Sequence, residues 1–157
     1  MVIAHEPRAG FAPGNRLLIV DALPIVDIWN NCACKQALLD FMADRECYVH
    51  TAQLSEILLC LRAEGGQASV NKLENALIDM NVHVLSGFDV EMADLVADIR
   101  VPGQRTGHPM PLAVACCGCV AKLMGADLLT RNGHIRIDGV DVYWYLDHRN
   151  EPPHKSS

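Results

Sequence analysis

Four short aliphatic segments, "LLIV" at 17–20, "CYVH" at 47–50, "VHVL" at 82–85 and "ADLLT" at 126–130, alternate with longer stretches whose apolar residues recur at helical spacing. Apolar runs of this length suit strands buried on both faces, and an intervening helix is how a chain crosses back to lay down a parallel neighbour. The pattern predicts an α/β fold, a parallel sheet flanked by helices on both faces. Among the helical stretches, 34–46 groups Leu38, Leu39, Phe41 and Met42, and the segment after Thr51 repeats Leu54, Ile57, Leu58 and Leu61. Thr51 reads as the cap of that helix and Gly65-Gly66 as its stop. Ser69 caps the next, and 89–100 carries Val90, Ala93, Leu95, Val96 and Ile99 between acids before Pro102-Gly103 opens a loop.

The stretch "HPMPLAVACCGCVAKLMGADLLTRN" supplies a further helix, with Pro111 tolerable in its first turn because the N–H there lacks a helical partner. Beyond it, "HIRIDGVDVYWYL" alternates around Asp138-Gly139 and reads as a hairpin or a bulged edge strand. The expected organisation is a loose lead over 1–15, a single domain over 16–147 and a flexible tail over 148–157.

At 157 residues the chain can remove roughly 70% of its unfolded surface from water. Half of its residues are hydrophobic and few are aromatic, which fits an aliphatic core. No apolar run reaches the roughly 18 positions of a spanning helix, and the start lacks a basic-then-apolar leader, so the reading is a soluble cytoplasmic protein with no membrane contact. A formal charge of −6, with no basic run, argues against gripping nucleic acid by bulk electrostatics. Any such contact would be built locally.

Seven cysteines form an odd count at spacings unlike a disulfide framework. Cys116 and Cys119 make a CxxC that Cys32 and Cys34 could complete as a zinc site. They lie mid-helix, however, on apolar stripes with Leu112 and Leu123, while Val114, Cys117, Ala121 and Met124 form another. Core packing is the preferred reading, a thiol-based metal or redox domain the remote one.

Ligands of parallel sheets gather beyond the carboxyl ends of the strands. That rule selects Asp21, Thr51 and the run Thr130-Arg131-Asn132, which can converge on one rim. Arg131 suits a phosphate as well as a solvated surface.

In order and spacing, "LLIVDA", "HTAQLSEILLCL", "GHPMPLAVACCGCVAKLMGADLLT" and "TRN" resemble the PIN domain, the metal-dependent nuclease fold of ribonuclease toxins in VapC-type toxin–antitoxin pairs. The resemblance covers roughly 17–145. It implies a three-layer α/β/α fold, a carboxylate cluster holding Mg²⁺ or Mn²⁺, and water attack on an RNA phosphodiester. Asp21 matches the first acid and Glu56 the second, in catalytic and metal-binding roles, with Thr51, Thr130, Arg131 and Asn132 toward substrate. The third acid's place is taken by Val114 and the fourth falls near Ile135. Spacing leaves open whether Asp94, Asp98 or Asp127 substitutes; Asp94 and Asp98, one turn apart, read as a solvated face.

Losing two carboxylates predicts weak or lost catalysis. The alternative is a non-catalytic module that keeps the fold for association with protein or RNA. By resemblance the partners are RNA, a cognate antitoxin-like protein and a second copy in a homodimer.

Overall fold

A computed structural model describes residues 17–157; the lead expected over 1–15 lies outside them. The elements run β1 (Leu17–Val20), α1 (Ala22–Trp29), α2 (Lys35–Met42), β2 (Glu46–His50), α3 (Thr51–Ala63), α4 (Val70–Asp79), β3 (Val82–Leu85), α5 (Val90–Thr106), α6 (Leu112–Met124), β4 (Asp127–Thr130), β5 (Val142–Trp144) and β6 (His154–Lys155). The sheet order is β3-β2-β1-β4-β5-β6. Every pairing from β3 to β5 is parallel, and β6 alone runs antiparallel, against β5.

Alternation along β1 divides the core. Leu18 and Val20 point into a cluster with Ile25, Leu38, Ile57 and Leu73, from α1 to α4. Ile19 points the other way, onto Met92 and Val96 of α5 and the cysteines of α6. Successive side chains of a strand face opposite sides of the sheet, so one apolar run serves two helical layers. The result is the expected three-layer α/β/α arrangement. Cys116, Cys117 and Cys119 are free thiols buried in the second cluster, as the packing reading expects. Burial pushes all three thiols up, Cys117 well above the usual value. Between them, Gly118 allows close approach: a Cβ there would stand 2.2 Å from Ile137 Cδ1.

Several expectations need correction. His50, not Thr51, caps α3: its Nδ1 accepts from the Ala52 N–H at 3.2 Å, and its other ring nitrogen faces the Gly87 carbonyl at 2.9 Å. Helix α5 continues through Pro102 to Thr106 and ends at Gly107, whose φ of 77° is left-handed. Proline forfeits one helical bond there, while Thr106 Oγ1 donates back to the Pro102 carbonyl at 3.1 Å. No hairpin forms over 134–146, since Val142–Trp144 pairs parallel to β4 and Gly139 turns the chain beforehand.

Residues 148–157, expected as a flexible tail, include the short strand β6. The Ser156 N–H donates to the Val142 carbonyl at 2.7 Å, Lys155 pairs with Asp141 at 2.9 Å, and the His154 ring lies 5.0 Å from that of Trp144. Before it, Asn150 Oδ1 accepts from the Ala37 N–H at 2.9 Å. Nothing in "HRNEPPHKSS" alternates; the strand is held by its neighbours. Among the described residues no helix is long and apolar enough to cross a membrane.

Candidate functional site at the carboxyl rim

At the carboxyl ends of β1 and β4 the chain brings Asp21 and Thr130 together. Asp21 follows "LLIV" directly, where its backbone is extended and its side chain caps α1: one carboxylate oxygen accepts from the Ala22 N–H at 2.8 Å. The other accepts from the Thr130 hydroxyl at 2.9 Å, and its own N–H donates to the Leu129 carbonyl at 2.9 Å. The side chain is buried, with only 5% of the residue exposed. Burial raises its pKa above the usual carboxylate range, against the bonds from Ala22 and Thr130, and the charge of Glu56 adds to the rise.

Glu56 is therefore near enough for its charge to reach Asp21, but it lies on the exposed side of α3. The buried stripe of that helix is Gln53, Ile57 and Leu61. Gln53, which sequence reasoning passed over, clamps α3 to the start of α6: its Nε2 donates to the Ala113 carbonyl at 2.7 Å and to Cys117 Sγ at 3.0 Å. A polar residue on an i, i+4, i+8 stripe with two aliphatics was the available signal. Val114 packs against the α5–α6 cluster, and Ile135 is buried within it.

Three remaining acids stand elsewhere. Asp127 opens β4 at the opposite end of the sheet, where it pairs with Arg45 at 3.0 Å. Asp94 and Asp98 are exposed on α5, as a solvated face requires.

The "TRN" run is held by its own chain. The Arg131 side chain, 34% exposed, binds Asp27 through Nε at 3.0 Å and again through Nη2. The Tyr145 hydroxyl donates to the same carboxylate at 2.5 Å. The bond to Asp27 holds Arg131 above its ordinary value, and burial, then Asp27, push the Tyr145 phenol up. Asp27 was also missed, although an acid inside "ALPIVDIW", a helix otherwise apolar nearly all round, signals a buried partner. Thr130 accepts from the Asn132 N–H at 3.2 Å while donating to Asp21. Asn132 Oδ1 accepts from the His134 N–H at 2.8 Å. Thr51 sits half-buried at the start of α3.

Beside this rim, a groove of about 680 Å³ separates His108, Met110 and Pro111 from Asn132, His134 and Ile135. Neither Asp21 nor Glu56 is among the described residues that line it.

A hard divalent cation takes oxygen ligands, preferably charged ones, in octahedral array. Here Asp21 is buried with each oxygen accepting one hydrogen bond, Glu56 is exposed, and Val114 and Ile135 offer no oxygen from their side chains. Among the described residues no group of three or more His, Cys, Asp or Glu is arranged to hold an ion. The residues present do not fit a metal cage.

No known family model matches the sequence, and no curated protein resembles it by sequence. Solved structures do share its fold. VapBC2 from Rickettsia felis, bound to a promoter DNA fragment, matches at a TM-score of 0.59 and 14% identity, over 80% of this chain and 96% of that one. A toxin–antitoxin complex from Klebsiella pneumoniae matches at 0.57 and 12%, over 78% and 94%. DNA-bound VapBC from Salmonella typhimurium matches at 0.54 and 18%, over 82% and 97%.

Proposed function

The fold is that of the PIN domain as it occurs in toxin–antitoxin complexes, and from this premise we propose that the chain acts by binding a partner protein of the antitoxin kind, having lost metal-assisted cleavage of RNA. The observation that carries the reading is the state of Asp21. Its two oxygens cap α1 and latch Thr130, and the position where resemblance expects a further carboxylate is Val114. Attack on a phosphodiester by metal-activated water needs charge arrayed around both the entering and leaving oxygens. Glu56 and the one buried carboxylate of Asp21 supply less charge than a full acidic cluster would. Homodimer pairing belongs to the same reading, by analogy with the fold. RNA stays as the substrate class should cleavage be found.

The test is incubation of single-stranded RNA with the protein and Mn²⁺ or Mg²⁺, alongside Asp21→Asn and Val114→Asp. Wild type and Asp21→Asn should both leave the RNA intact. Metal-dependent cleavage by wild type that Asp21→Asn abolishes would overturn the proposal, whereas cleavage gained only by Val114→Asp would identify the lost ligand.

A further inference from the structure

We infer that two copies of the chain join through the outer edge of β3, the two strands running antiparallel about a two-fold axis at Val84, so that one sheet continues across both molecules. The inference rests on the homodimer pairing in the reading above and names the surface that makes it.

The two edges of the sheet are unlike. At one, β6 is two residues long and carries Lys155, which pairs with Asp141 at 2.9 Å; a short, charged strand is a common way to stop further pairing. At the other, β3 reads Val82-His83-Val84-Leu85 and, among the described residues, pairs on one side only, parallel to β2. The strand has no proline, lysine or glycine, and from 82 to 88 there is no Asp, Glu, Lys or Arg. Such an edge holds out backbone N–H and C=O groups as a template for another strand.

Exposed apolar side chains gather at the same edge. Val70 and Ile78 of α4, with Val84, Phe88 and Val90, are five of the nine large hydrophobic residues that stand exposed among the described residues. Helix α4 packs against β3, and Val90 opens α5 at 85% exposure. A four-residue ladder alone is too small for a stable dimer, so these flanking side chains must widen the contact.

Charge selects the occupant. A basic partner meets no carboxylate on this strand and an acidic one no cation, so the edge suits an uncharged, β-prone strand, and β3 itself is one. The chain carries −6 overall, and two copies approach with least repulsion where neither is charged. A two-fold axis normal to the sheet keeps each helical layer on its own side and sets Val84 against Val84 of the second copy, with His83 opposite Leu85. Because β6 guards the other edge, the assembly closes at two.

The test is sedimentation velocity of the full chain over a concentration series, with Val84→Lys and, as a control, Leu59→Lys at an exposed apolar position of α3. Wild type and Leu59→Lys should reach twice the monomer mass. Val84→Lys, with circular dichroism unchanged, should weaken the dimer about tenfold or more. In wild type alone, hydrogen exchange at the outward amides of β3 should slow as concentration rises. Monomer at every concentration, a dimer that Val84→Lys leaves intact or that Leu59→Lys disperses as well, or β3 exchange that ignores concentration would each overturn the inference. No RNA, metal or second protein is present, so its failure leaves the loss of cleavage, tested on RNA, where it stands.

Discussion

Replacing Asp21 by Asn keeps an oxygen for the Ala22 N–H and removes a charge that burial disfavours. Asn and Asp cap helices about equally well, and loss of the cap to Ala costs about 1–2 kcal/mol. Asp21→Asn should therefore match or exceed wild-type stability at pH 7 in urea unfolding, while Asp21→Ala should fall by that amount. The sign with pH follows. A folded-state pKa raised above 3.8 means the native protein holds the proton more tightly than the unfolded chain, so this group's contribution declines as pH rises from 3.8 through the raised value. Asp21→Asn should remove that decline. At Gly118, the close Ile137 side chain predicts that Gly118→Ala destabilises by about 1–3 kcal/mol, measured by thermal unfolding. Residue identity announced Asp21 through its place after an aliphatic run. It did not announce that Thr130 would engage the second oxygen, because that contact spans 109 positions.

At the level of elements, the Asp27 carboxylate ties α1 to the loop after β4 and to the residue after β5. Removing one partner of a buried pair strands the other, which costs about 3–5 kcal/mol when both are enclosed. Since Arg131 is a third exposed, solvent screening brings Arg131→Met down to about 2–3 kcal/mol. The double variant Arg131→Met, Asp27→Leu should recover much of that loss in the same denaturation series. The helices from α2 to α6 and the strands from β1 to β4 were legible because each has its own periodicity, whereas α1, β5 and β6 were not. "HIRIDGV" alternates yet stays irregular, with Ile135 and Ile137 turned into the core beneath α6. β6 is only two residues long and holds its place through Trp144 and Asp141, partners no local pattern reveals. Chain shortened to residue 150 should keep its far-ultraviolet circular dichroism and show a red-shifted Trp emission as Trp144 loses the cover of His154.

For the molecule as a whole, a ligand that binds only the native state raises its melting temperature, and a caged ion does so strongly. Millimolar Mg²⁺ or Mn²⁺ should move the melting temperature of this protein by no more than about 1 °C in differential scanning fluorimetry, given a single committed carboxylate at the rim. The layer architecture was readable from alternation alone, and the rim from the strand ends. The chemistry of the rim was not, because the bonds that engage Asp21 arise from folding.

The link between Asp27, Arg131 and Tyr145 also orders events in time. Its members lie 104 and 118 positions apart, and β4 must slot beside β1 before they meet. During synthesis, Asp27 can meet neither partner until Arg131 and Tyr145 have been added to the chain.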